Sequence, residues 1–206
     1  MADKEKVNLD WKNIFKLALT LFLITAIASL CLAVTNYVTA DTIAERNEQS
    51  NIQARQQVLA EADRFEEVHD VQAIAQQAGA DASIVTEAYQ GFNGNETVGY
   101  TIKTTPNGYG GAIEVLTGID MEGKITGVTI LSQSETAGLG AKATEPAFKD
   151  QYTGKDSSED LTVIKNGEAS GNQIVAITGA TITSDAVTDG VNVSCKIFET
   201  LSQGGK

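Results

Sequence analysis

Residues 173–184 bring together the groups in this chain best suited to holding a phosphate. An apolar run from Gln173 to Ile177 has strand character. Thr178-Gly179-Ala180-Thr181 then reads as a turn, and the hydroxyls of Thr183 and Ser184 are expected to cap a helix over residues 185–201. Hydroxyls on a glycine-containing turn ahead of a helix suit a phosphate, because free backbone N–H groups and the helix dipole both favour an anion. Taken alone, the tetrapeptide reads more readily as an ordinary strand–turn–helix junction, since turns use Thr and Gly freely.

Four further stretches add weight. Gly108-Tyr109-Gly110-Gly111 is followed by Gly118-Ile119-Asp120 and Gly123-Lys124-Ile125-Thr126-Gly127-Val128. Glu135-Thr136-Ala137-Gly138-Leu139-Gly140-Ala141-Lys142 comes next. With Thr178-Gly179-Ala180-Thr181, these resemble, in order, the blocks of the covalent FMN-binding domain family. That family is shared by the G subunit of Rnf ion-translocating ferredoxin:NAD oxidoreductases and the C subunit of Na+-pumping NADH:quinone reductases.

The resemblance implies FMN held by a phosphoester to Thr181, with Thr178, Gly179, Ala180, Thr183 and Ser184 forming the phosphate turn. A threonine hydroxyl is a poor nucleophile at neutral pH without a base. A separate enzyme would therefore supply activation, and the resemblance implies that it is a flavin transferase using FAD as donor. Around the flavin ring, Gly138 and Gly140 would allow close backbone approach. Glu135 and Thr136 would hydrogen-bond its polar edge, Leu139 would pack on its face, Lys142 would offset negative charge, and Tyr109 would pack or stack. Two positions depart from the family pattern. Ala137 stands where a proline is expected, which loosens the loop. Val175 stands where the family often has an acidic residue.

Other chemistry is excluded. Cys31, Cys195 and the single His69 make no metal-ligand set and no nucleophile–base pair, so neither a metal site nor a catalytic group is expected. Cys31 lies in an apolar run and Cys195 in the last helix, so no internal disulfide is expected. The formal net charge of −12 argues against nucleic acid, whose phosphates need Lys and Arg clusters. No dinucleotide fingerprint and no Fe–S cysteine set is present.

Residues 17–38 carry no charged side chain and are long enough to cross a bilayer. Trp11 and Tyr37 sit near the ends as interface anchors. Lys4, Lys6, Lys12 and Lys16 precede the run, while Asp41 and Glu45 follow it. The N-terminus is therefore expected in the cytoplasm and the large domain outside it, in a single-pass protein of the cell membrane. Val38-Thr39-Ala40 would also serve as a signal-peptide cleavage site. The apolar run exceeds a signal core, however, and an uncleaved anchor is the favoured reading.

The elements that position these groups follow. The expected organisation is a cytoplasmic segment over residues 1–16, a transmembrane helix over 17–38, a helical connector over 39–82 and an FMN-binding domain over 83–206. The long polar connector suits a mobile relay. Strand character over residues 84–89, 98–103, 112–119 and 125–131, with turns between, implies an antiparallel sheet. Residues 145–152 form a short helix with Pro146 in its first turn. The fold class is α+β: an antiparallel sheet with packed helices, preceded by one transmembrane helix. By resemblance the chain relays electrons through FMN among the other membrane subunits of an Rnf-type complex coupled to Na+ or H+ transport. The alternatives are the C subunit of the quinone reductase, an exported FMN-binding sensor, or a cofactor-free anchored structural domain.

Overall fold

The computed structural model describes residues 10–204. Lys4 and Lys6, which contribute to the expected orientation, lie outside the described residues. The chain divides into two units, Met1–Gln49 and Ser50–Lys206.

Helix α1, Trp11–Val58, is 48 residues long, more than twice the about 20 that a bilayer core requires. Among the described residues it is the one helix long and apolar enough to cross a membrane. Asp10 caps it: its carbonyl accepts the Ile14 N–H at 3.0 Å and its carboxylate the Asn13 N–H at 3.3 Å. Within the apolar stretch, the hydroxyls of Thr20, Thr25 and Thr35 donate to carbonyls one turn back, at 2.8, 3.0 and 2.9 Å. Their polarity is thus satisfied inside the helix, as an apolar solvent demands.

The second unit is built on a five-stranded antiparallel meander in the order β1 to β5. The strands are β1 (Arg64–Glu67), β2 (Val85–Asn93), β3 (Glu96–Thr104), β4 (Glu114–Asp120) and β5 (Ile125–Ser132). Gly94, with φ of +61°, turns β2 into β3, and Gly123, with φ of +79°, turns β4 into β5. Strands β2 and β3 extend into the turn expected between residues 89 and 98, to Asn93 and from Glu96, with Gly94 and Asn95 at its tip. The connector expected to be helical to residue 82 instead ends at Val58. Beyond it, β1 pairs with β2, and α2 (Val71–Gln77) buries Val71 and Ala75. Arg64-Phe65-Glu66-Glu67 is mostly charged, so neighbouring β2 rather than a strand pattern of its own decides its conformation.

The two sheet faces are covered differently. Helix α4, Thr181–Gly204, packs across β3 and β4 through Val187, Val191, Ile197 and Phe198. At Gly190 a Cβ would lie 2.7 Å from Thr104 Oγ1, so the missing side chain lets helix and strand approach. Phe198 meets Tyr100 edge to face at 6.0 Å. Cys195 is buried here, and burial pushes its thiol up to about 12, which leaves it an inert packing group. The opposite face carries the last turns of α1, where Ala54 and Val58 cluster with Leu116. Arg55 lies there with its guanidinium 3.5 Å from the centre of the Tyr89 ring and 3.3 Å from Glu87, which also binds Lys103 at 2.5 Å. Helix α3 (Pro146–Lys149), a 3-10 turn at Asp150–Tyr152, and a two-stranded parallel ribbon, β6 (Thr162–Ile164) with β7 (Gln173–Val175), complete the unit.

Candidate functional site

The site forms where β7 hands over to α4. The turn is set by three hydrogen bonds and a glycine. The Ala180 N–H donates to the Ile177 carbonyl at 2.9 Å, and Gly179 adopts a φ of +79°. The Ser184 hydroxyl then clamps the turn: it accepts the Ile177 N–H at 2.9 Å and donates to the Ala180 carbonyl at 3.0 Å. Helix α4 accordingly begins at Thr181, not at residue 185. Ser184 and Thr183 belong to its first turn and are not caps. Ala180 holds the cap position and has no side-chain acceptor to offer. Helix geometry therefore leaves the first-turn N–H groups of Thr181, Ile182 and Thr183 without intrahelical acceptors.

These groups border a cavity of about 570 Å³. Its walls come from Tyr109, from Glu135, Thr136, Leu139 and Gly140, and from residues 179–183. The volume lies within the about 300–1,000 Å³ typical of ligand sites. Glycine makes the room. A Cβ on Gly179 would lie 3.2 Å from Leu139 Cδ2, and one on Gly140 would lie 2.6 Å from Thr183 Oγ1. The helix terminus at one end favours an anion, and the exposed side chains of Tyr109, Leu139 and Ile182 offer apolar contact at the rim.

Most of the residues singled out from sequence come together here: Tyr109, Glu135, Thr136, Leu139, Gly140, Gly179, Ala180, Thr181 and Thr183 all line the cavity. Others do not. Thr178 is exposed on the turn, and Gly138 is exposed on its loop. Ser184 is fully buried as the clamp. Lys142 lines a neighbouring concavity with Glu145, Phe148, Gln151 and Val175. There the Gln151 side chain pairs with the Val175 backbone, accepting its N–H at 2.8 Å and donating to its carbonyl at 3.3 Å. Ile182 is a lining residue that sequence reasoning missed. Its signal is a bulky apolar side chain directly after the hydroxyl of interest.

The hydroxyls are not equivalent. Thr183 donates to Glu135 at 2.6 Å and Ser184 is engaged twice. Thr188 donates to the Ser184 carbonyl at 2.9 Å and meets the Tyr152 hydroxyl at 2.8 Å. Burial pushes that tyrosine well above its ordinary pKa. Among the described residues no hydrogen bond engages the Thr181 hydroxyl, and it is partly exposed on the cavity wall.

A glycine-lined cavity at a helix N-terminus, on an antiparallel sheet and preceded by a membrane-length helix, defines the class, and comparison with known proteins agrees. Residues 108–196 match the FMN-binding domain model, and residues 1–58 match the RnfG N-terminal region. The fold resembles the crystal structure of Shewanella oneidensis NqrC, with a TM-score of 0.59 at 14% identity, covering 78% of this chain and 98% of that one. The chain is 51% identical to the G subunit of the Na(+)-translocating ferredoxin:NAD(+) oxidoreductase complex of Acetobacterium woodii, over 98% of this chain and 100% of that protein. It is 33% identical to the G subunit of the proton-translocating complex of Clostridium ljungdahlii, over 96% and 97%. The chain belongs to the RnfG family, the G subunits of ion-translocating ferredoxin:NAD(+) oxidoreductase (Rnf) complexes.

Proposed function

We propose that this chain is a membrane-anchored flavoprotein subunit that relays electrons within an Rnf-type ferredoxin:NAD oxidoreductase coupled to Na+ or H+ transport, and that it carries FMN as a phosphoester on Thr181. The observation that carries this reading is the free Thr181 hydroxyl at the first position of α4, on the wall of a cavity flanked by residues 135–140. The residues present fit FMN. First-turn N–H groups would hold the phosphate, Leu139, Ile182 and Tyr109 would contact the ring, and the glycines leave room for it. FMN supplies the redox chemistry, while the protein supplies its position and electrostatic surroundings. A covalent bond suits a domain outside the cytoplasm, where a lost flavin is not readily replaced.

Helix α1 is the anchor, with the N-terminus cytoplasmic and the FMN domain extracytoplasmic. A flavin transferase is the maturation partner, and the other subunits of the complex are the working partners.

The test uses full-length protein from a host with an active flavin transferase. Flavin fluorescence that survives a denaturing gel, with a mass gain of one FMN less water, is expected. Both should vanish in Thr181→Ala. A wild-type protein without bound flavin would overturn the reading.

A further inference from the structure

Three segments of the cavity wall meet on one side chain. Glu135 is 9% exposed, and both of its carboxylate oxygens are used inside the protein. Oε1 accepts the Gly110 N–H at 2.8 Å, and Oε2 accepts the Thr183 hydroxyl at 2.6 Å. The glycines around it have no room for a side chain. A Cβ on Gly108 or on Gly140 would run into the Glu135 carboxylate, and one on Gly110 would run into the Ser134 backbone. The Glu135 N–H is itself fixed by Gln133 Oε1 at 2.5 Å. Among the described residues no ion pair includes Glu135. Its carboxylate is thus held by neutral donors on the wall of the cavity.

We propose that Glu135 is a positioning residue that joins the glycine loop at residues 108–111 and the segment at 134–140 to the first turn of α4, and that its fixed charge lowers the reduction potential of the flavin beside it. This assignment rests on the reading that the cavity holds FMN. It adds to the expectation that Glu135 hydrogen-bonds the ring, since each carboxylate oxygen has one protein donor and an acceptor site to spare. The field of a carboxylate held by neutral donors, with no cationic partner, acts on a close neighbour with less screening than in water. Added electron density on a neighbouring ring is disfavoured by that field, so the oxidised form is favoured.

Glu135→Gln separates charge from position. The amide oxygen can accept the Gly110 N–H, and the amide nitrogen can donate to Thr183 Oγ1 once that hydroxyl turns. Both links survive while the charge is removed. Glu135→Ala removes both links and leaves the buried Thr183 hydroxyl and the Gly110 N–H without their acceptor.

The experiment compares full-length wild type, Glu135→Gln and Glu135→Ala from a host with an active flavin transferase. It measures FMN content by intact mass, and the flavin midpoint potential by spectroelectrochemical titration. Glu135→Gln should load FMN like the wild type and shift the reduction equilibrium at least tenfold toward the reduced form, about 30 mV for a two-electron couple. Glu135→Ala should load less FMN or show higher flavin mobility by fluorescence anisotropy. A Glu135→Gln protein with full loading and an unchanged potential overturns the charge role. A Glu135→Ala protein with wild-type loading and anisotropy overturns the positioning role. Wild-type protein without flavin overturns the FMN reading itself, and this inference with it.

Discussion

Glycine serves opposite purposes on the two sides of this domain. Around the cavity, Gly108, Gly140 and Gly179 leave space that a ligand can use or that the Glu135 carboxylate already fills. On the far face of the sheet, Gly91, Gly99, Gly118 and Gly127 make a furrow that the chain fills itself. A Cβ on Gly99 would lie 3.0 Å from Leu59 Cδ1, one on Gly118 2.7 Å from the Val58 carbonyl carbon, and one on Gly127 3.3 Å from Val58 Cα. Thr126 Oγ1 donates to the Val58 carbonyl and closes the contact. The end of α1 is thereby part of the folded domain. Ala54, Arg55, Val58 and Leu59 are buried there. Glycine-rich motifs in such a chain therefore mark close approach, either to a ligand or to the anchor.

Substitutions can break this contrast. The largest effect is expected from Gly118→Val, which forces side-chain atoms into the Val58 backbone. A loss of about 3 kcal/mol or more in unfolding free energy is expected, measured by denaturant titration, with FMN still attached to the fraction that folds. Arg55→Ala should cost about 2 kcal/mol through the lost contact with Tyr89 and Glu87, again without loss of flavin from folded protein. Gly140→Ala should do the reverse: it displaces Glu135 and Thr183, lowering FMN content by intact mass, with a stability change of about 1 kcal/mol.

The smallest effect is on pH dependence. Hydrogen bonds from Lys124 at 2.7 Å and from Ser158 hold the Asp156 carboxyl below the usual carboxylate range. A depressed folded value means that the stabilisation is present above the unfolded carboxylate value of about 3.9 and fades as pH falls through the folded value. Asp156→Asn should therefore flatten the acid side of the stability curve below pH of about 4. Unchanged curves would show that the pair contributes nothing.

The sheet and the turn into α4 were legible because their signals are local. Alternating apolar residues with glycine turns mark β4 and β5, and Thr178-Gly179-Ala180-Thr181 marks the turn into α4. What sequence obscured depends on tertiary contact. Strand β1 is mostly charged and exists through pairing with β2. Helix α4 starts earlier than its hydroxyls suggest, because Ser184 reaches back to Ile177 and does not cap forward. Gly118 and Gly127 fall in the same motif series as Gly108 and Gly140, yet they lie against Val58 at the end of α1. Lys142 follows Gly140 closely, but the 3-10 turn at Gly140–Thr144 carries its side chain to the neighbouring concavity. The double use of Glu135 leaves no trace in sequence, since its partners lie 25 and 48 residues away.

The most direct test is to locate the flavin by tandem mass spectrometry of peptides spanning residues 173–196, from protein matured with a flavin transferase. FMN on Thr181, with Thr178 and Thr183 unmodified, is the expected result. Thr178 is equally free but stands outside the cavity, and Thr183 is bound to Glu135. Flavin on either of those residues, or no flavin at all, would contradict the assignment of the cavity and of the helix start that presents Thr181 to it.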